Sequence, residues 1–397
     1  MARTIIRDVR LFDGTGATPR DRSTVVVDDE RIAWCGRQED APAAAGADAA
    51  AMIDGAGRTL LPGLIDAHAH LFAGRGQPPF TAERAEVRAL LDAITHARQC
   101  LEAGVTAVRD LGARWGASAV DLAAAIARGE LSGPEIVAAA RFIAPSGGYM
   151  EGMAREAATP DEARTAAEEQ VAAGARVLKL IASPVPPRDA PRLASDSFGV
   201  EAMRAVAEVA HTAGLRVTAH AHGLAGARDA VAAGVDCIEH GYRLDQATVD
   251  EMAARGVWLV PTLVAMEASQ APNWAPGRPD EAARRARERW EAAVAAVQTA
   301  RMAGVQVAAG TDCFGIVPVT ALWREVRLLV EEGGYTPAAA LYAATGAAAA
   351  LLGIPDHTGT VAPRMAADLV LLEGNALSDL PDPARIVAVW RRGVRVR

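Results

Sequence analysis

Eight short runs rich in Val, Leu, Ile and Ala recur along the middle of the chain, each separated from the next by an Ala-rich stretch of helical length. They cover 61–67, 105–110, 135–143, 177–181, 216–220, 236–240, 257–261 and 305–311. Gly104, Gly174, Gly214, Gly234, Gly256 and Gly304 precede six of them, the place where a helix commonly ends in a left-handed residue. Strands alternating with helices predict βα units and a parallel sheet. Eight such units over roughly 290 residues fit a (β/α)8 TIM barrel, an α/β fold whose chemistry sits at the C-terminal ends of the strands.

The two ends of the chain read differently. Residues 4–12 and 23–34 are β-rich around turn chemistry at 13–16, and 41–52 reads as a surface loop or weak helix. Strand patterns return at 368–373 and 386–395, split by a Pro/Asp loop at 379–383. Neither end buries a core alone, which predicts a composite β-sandwich domain of 1–59 with 358–397 flanking the (β/α)8 domain at 60–357. No apolar run approaches the ~20 residues of a membrane span. A net charge of −8 argues against nucleic acid and anionic membranes as partners. Cys35, Cys100, Cys237 and Cys313 have no CxxC spacing and follow no secretory leader, so the expectation is free thiols in a cytoplasmic protein.

Five of the eight histidines fall on the predicted strand ends: His68 and His70 on the first, His220 and His222 on the fifth, His240 on the sixth. Asp312 follows the eighth. Residues i and i+2 of a strand share a face, so His68 and His70 can hold one ion together. Neutral imidazole and carboxylate suit a borderline divalent metal such as Zn2+. One rim histidine is more often core or surface filler; five beside an acid are not.

Of 41 basic residues, 40 are Arg and one is Lys, Lys179, within the fourth run. Arg supplies ordinary surface charge everywhere else, so the single Lys marks a job for which Arg is unsuited. A buried Lys can lose its proton, which Arg does not, and the neutral amine is a nucleophile. Adding CO2 would turn it into a carbamate, an anion with two oxygens that can bridge two metals.

The stretches LPGLIDAHAH (61–70), VTAVRD (105–110), VLKL (177–180), VTAHAHG (217–223), GVDCIEHG (234–241), LVPT (259–262), AGTD (309–312) and ADLV (367–370) resemble the amidohydrolase superfamily. Within it, the chain is similar to the metal-dependent Xaa-Pro dipeptidase and imidazolonepropionase-like group with a carbamylated lysine. The resemblance spans nearly the whole chain, and it is the combination that is specific. It implies a binuclear centre of two divalent ions, Zn2+ by preference. His68, His70 and Asp312 hold the first, His220 and His240 the second, and the carbamate on Lys179 bridges them with a hydroxide. Asp312 then moves the proton to the leaving amine, and His222, one strand period beyond His220, binds substrate or trades roles with His220. A homo-oligomer acting on a small molecule is the family expectation.

Tyr149, Tyr242 and Arg141 are candidate substrate contacts on rim loops, with Tyr149 standing where relatives often carry His. Asp110 reads as an orienter, and His96, His211, His357 and Cys313 as packing residues. Loops 182–199 and 266–279, the latter carrying Trp274, and nearby Met153 offer walls for specificity. The function expected is hydrolysis of an amide in a dipeptide-like or N-acyl amino acid substrate. The alternatives are a cyclic amide or a xenobiotic amide, carbamate or ester on the same centre, and a non-catalytic barrel scaffold.

Overall fold

The structure, a computed structural model, describes residues 2–42, 50–73, 86–147, 153–183, 197–271, 279–315, 317–378, 380 and 382–397. The chain opens with β1 (Arg3–Leu11), β2 (Arg20–Asp28), β3 (Arg31–Arg37), β4 (Ala50–Asp54) and β5 (Thr59–Pro62). Next come β6 (Leu64–Ala69), α1 (Glu86–Glu102), β7 (Val105–Asp110), α2 (Gly116–Ala127), β8 (Glu135–Ala138), β9 (Ile143–Pro145) and β10 (Arg155–Ala157). The alternation continues through α3 (Pro160–Ala172), β11 (Val177–Ile181), α4 (Val200–Thr212), β12 (Arg216–Ala221), α5 (Leu224–Ala233) and β13 (Cys237–His240). After α6 (Gln246–Arg255) and β14 (Trp258–Val260) follow helices α7 (Leu263–Ala268), α8 (Pro279–Met302), α9 (Leu322–Glu331), α10 (Pro337–Ala343) and α11 (Gly346–Leu352). The chain closes with β15 (Leu369–Leu372), β16 (Ile386–Arg391) and β17 (Val394–Arg395).

Strands from both ends share one mixed eight-stranded sheet, ordered β17-β16-β15-β5-β1-β2-β3 with β4 also on β1. Its seam is the antiparallel pairing of β15 with β5, Leu369 opposite Pro62. Ile6, Val9, Val25, Leu369 and Trp390 form its core. Two sequence expectations change here. The strand predicted over 23–34 folds back on itself between β2 and β3, where Asp29 takes a left-handed φ of 51°. The stretch 41–52 ends in strand, because β4 pairs in parallel with β1.

The middle carries two parallel sheets, β10-β9-β11-β12-β13-β14 and β6-β7-β8. Strands β6, β7 and β11 are buried at every position, as expected where helices cover a parallel sheet. Backbone bonds link the sheets and the 305–311 run. Arg176 N donates to Ala138 O at 2.8 Å, Ala308 N to Leu259 O at 3.1 Å and Ala67 N to Ala309 O at 2.9 Å. The third predicted strand is split into β8 and β9 by Ala140, whose φ is 56°. The eighth, 305–311, makes only an isolated bridge, Val307 with Leu259, because Ala309 N turns to Ala343 O at 2.9 Å.

Helix ends follow local chemistry. Thr159 caps α3 ahead of Pro160, Asp245 caps α6, and Gly234 and Gly256 close α5 and α6 at φ 92° and 69°. All four cysteines are free. Among the described residues no helix is long and apolar enough to cross a membrane.

Candidate metal centre

The end of β6 aims two imidazoles at one point. His70 Nδ1 lies 2.9 Å from Gly112 O, and His68 Nδ1 lies 2.7 Å from Glu239 Oε2. A carbonyl and a carboxylate only accept, so each Nδ1 carries the proton and each Nε2 presents its lone pair. Those two Nε2 atoms stand 3.3 Å apart, and Asp312 Oδ1 lies 3.2 Å from one and 3.4 Å from the other. Three electron-rich atoms converge with nothing supplied by the protein between them, so a proton or a cation must stand there. Burial pushes the Asp312 carboxyl up, but the neighbouring His68 and His70 rings outweigh it and hold it well below the usual carboxylate range.

A second cluster adjoins the first. The rings of His220 and His222, from β12 and just beyond it, lie 4.1 Å apart, and each is under 5 Å from His240 at the end of β13: 4.6 and 4.7 Å. Ligand atoms of His220, His222 and His240 lie within 4.8 Å of one another, as do those of His68, His240 and Asp312. His240 thus joins the two groups. Burial drives His220 and His240 well below the ordinary histidine value and His222 to about 3, keeping the imidazoles neutral and able to donate lone pairs.

Lys179, in the middle of β11, is 3% exposed, and its Nζ has no hydrogen-bond partner among the described residues; neither has His220 Nε2. Burial lowers the Lys179 ammonium to about 8, against the pull of Glu239 and Asp312. Buried polar atoms are normally satisfied, so two orphans beside the histidine clusters are what a metal site looks like without its ion. His68, His70, His220, His222, His240 and Asp312 therefore offer donors that could hold a divalent metal, with Lys179 beside them.

Several supports complete the site, and among them only Asp110 is legible in the sequence, as an orienter. Asp66 accepts from His68 N at 3.1 Å and Thr311 N at 3.0 Å, joining β6 to the chain that leads to Asp312. Asp110 accepts from Leu71 N at 2.9 Å and Gly112 N at 3.1 Å, so it shapes the loop whose carbonyl takes the His70 proton. Thr262 Oγ1 lies 2.7 Å from His240 Nδ1. Glu239 and Arg109 form a fully buried ion pair at 2.6 Å. His240, Thr262 and Asp312 all hold left-handed backbone, at φ 67°, 51° and 50°, a strain that gathers at working sites. The signal that was available is their position inside the quoted stretches, next to the ligands themselves.

Other candidates sort by contact. Tyr242 is buried with its ring 4.6 Å from His222. Arg141 spends Nε on Met153 O at 3.3 Å and Nη2 on Ala154 O, so it ties down a rim segment instead of reaching freely into the site. His96 Nδ1 bonds Leu71 O at 2.7 Å, His211 pairs with Asp236 and His357 with Glu135, which are packing roles. Cys313 is buried and bridges to Ala69. Tyr149, Trp274 and residues 184–196 and 272–278 of the two loops lie outside the described residues.

The sequence profile of the amidohydrolase family matches residues 59–396. An ochratoxinase of Aspergillus niger is 30% identical over 428 aligned residues, covering 98% of this chain and 86% of that protein. A solved Xaa-Pro dipeptidase with methionine bound in its active site superposes with a TM-score of 0.88 at 28% identity, covering 99% of both chains. A prolidase complexed with N-methylphosphonate-L-proline gives 0.87 at 28% identity, covering 100% of both.

Proposed function

The chain belongs to the amidohydrolase family and is a hydrolase of carbon–nitrogen bonds, and from that premise we propose that it cleaves an amide in a dipeptide-like or N-acyl amino acid substrate at a binuclear metal centre. The observation that carries this reading is the convergence of His68 Nε2, His70 Nε2 and Asp312 Oδ1 beside the orphaned Lys179 Nζ and His220 Nε2. In this reading the two parallel sheets and the 305–311 run are one closed (β/α)8 barrel within 60–357, and 1–59 with 358–397 form the sandwich domain beside it.

His68, His70 and Asp312 would hold one divalent ion, His220 and His240 a second, and Lys179, as its carbamate, would serve both. When bound, such ions acidify a water and polarise the scissile carbonyl. Asp312, kept ionised, takes the water's proton on its carboxylate and delivers it to the departing amine. His222, neutral and packed on Tyr242, faces the substrate carbonyl or carboxylate. Arg141 serves by fixing the Met153–Ala154 wall, and Tyr149 is a further candidate substrate contact. The dipeptidase and prolidase relatives, with an amino acid or a proline phosphonate bound, support a substrate that ends in a free carboxylate.

The likeness to ochratoxinase, an enzyme named for a toxin rather than a peptide, favours a second reading on the same centre: a cyclic amide or a xenobiotic amide, carbamate or ester. One experiment decides. Protein purified without chelator should carry about two equivalents of divalent metal and cleave members of an Xaa-Pro and N-acyl amino acid panel. Less than one equivalent overturns the metal reading. Turnover confined to lactams or aryl carbamates establishes the second.

A further inference from the structure

The centre leaves a charged pair beneath it unexplained. Glu239 and Arg109 are 0% and 1% exposed, in strands β13 and β7 on different parallel sheets. Glu239 Oε1 accepts from Arg109 Nη2 at 2.6 Å, from Thr218 Oγ1 and from Cys237 Sγ at 3.3 Å. Its Oε2 faces His68 Nδ1 at 2.7 Å. Arg109 also donates through Nε to Ala67 O at 2.6 Å, the residue immediately before His68. One guanidinium therefore grips both the carboxylate that meets the His68 ring and the strand that carries the ring.

Packing alone does not account for such a pair, because apolar residues of similar volume commonly replace a buried ion pair without loss of stability. Geometry does. Three donors on Oε1 lock the plane and rotation of the carboxylate, which leaves Oε2 a fixed acceptor aimed at one nitrogen. An imidazole whose Nδ1 must donate has its lone pair on Nε2 and no freedom to turn.

On the proposed reading of the metal centre, we propose that Glu239, held by Arg109, is the positioning residue of the His68 ring, fixing its proton on Nδ1 and its lone pair towards His70 and Asp312. A glutamine at 239 keeps the shape and reverses the instruction. The Arg109 and Thr218 donors demand the amide oxygen on their side, so the amide NH2 faces His68 Nδ1, which must then accept and carry its proton on Nε2.

The test uses full-length protein stripped of metal. Nitrogen-15 NMR of histidine-labelled wild type, with the His68 signal identified by its loss in His68→Asn, should show Nδ1 protonated. Glu239→Gln, checked for folding by circular dichroism, should show the opposite tautomer. It should bind one of two zinc equivalents 10–100-fold more weakly in competition with a chromophoric chelator, the range for lost partners of metal ligands. A wild-type His68 with Nδ1 unprotonated overturns the proposal even if the variant fails to fold. So does a folded Glu239→Gln with wild-type tautomer or zinc affinity within threefold. Wild type that binds no zinc but has Nδ1 protonated defeats the metal reading and leaves the positioning of the ring intact.

Discussion

His240 Nδ1 lies 2.7 Å from the Thr262 hydroxyl, and both residues hold left-handed backbone, φ 67° and 51°, at the ends of adjacent strands β13 and β14. Non-glycine residues pay about 1–3 kcal/mol for that conformation, so each position is fixed by its surroundings against a local cost. The bond orients a ring that belongs to both histidine clusters.

Thr262→Val keeps the branched shape and removes the hydroxyl. His240 then has a buried Nδ1 without that partner, at a cost of about 1–3 kcal/mol in stability, and metal affinity falls about 10–100-fold. Urea unfolding and zinc titration measure both. Wild-type zinc affinity in Thr262→Val shows that the hydroxyl does not orient the ring.

Lys179 is the position where a conservative change should fail most completely. Lys179→Arg keeps charge and length but not the capacity to become a neutral amine, and Lys179→Ala removes the group. Both should lose more activity than the about 100-fold expected for an outer partner of a metal ligand. Formate or acetate should partly restore Lys179→Ala by standing in for the carbamate. In the metal-free state Lys179→Met should be at least as stable as wild type, since it removes a buried amine with no hydrogen-bond partner. Full activity in Lys179→Arg disproves the bridging role.

These candidate ligands are legible in the sequence for a simple reason. Period-two spacing puts His68 with His70 on one face of a strand, and strand ends of a parallel sheet converge. Lys179 is legible because one lysine among forty arginines needs an explanation. Glu239 and Thr262 are not, since their roles depend on partners 171 residues and 22 residues away. Nor does apolar patterning foresee that 305–311 forgoes a regular ladder. That segment divides its backbone bonds among Ala300, Leu259, Ala67, His68 and Ala343, a tertiary outcome that local composition does not encode. Arg141 reads as a substrate contact because a lone cation at a strand end looks available, and only the fold reveals the carbonyls that occupy it.

Gly310 sits where the chain passes behind His68. A Cβ there would stand 2.6 Å from Val260 Cγ1 and 2.8 Å from both Cβ and N of His68. The nearest atoms belong to a buried strand and a candidate ligand, so they cannot yield cheaply. Gly310→Ala should cost about 1–3 kcal/mol, the range for overpacking, and should weaken metal binding because the displacement falls on His68. Thermal unfolding and zinc titration report the two effects. A variant with wild-type midpoint and affinity means that the crowding relaxes elsewhere.

Glu325 predicts a pH dependence away from the ligands. It is 0% exposed in α9, where its carboxyl accepts from Leu263 N at 3.0 Å and Val264 N at 2.7 Å, the first residues of α7. Burial pushes the group up to about 8 despite those two bonds. A carboxyl with a raised folded pKa holds its proton in the folded chain while the unfolded chain has released it. Its contribution is therefore full below the ordinary carboxyl value of about 4.5 and is lost as pH climbs towards about 8. Over that window its share of the unfolding free energy should fall with rising pH, by at most about 1.4 kcal/mol per pH unit. Glu325→Gln removes the titration and keeps an acceptor for α7, so the difference in stability between variant and wild type should move steadily in the variant's favour from pH 5 to pH 8. Urea unfolding across that range measures it. Profiles that run parallel would show that the two backbone donors hold Glu325 ionised and that burial does not dominate its proton.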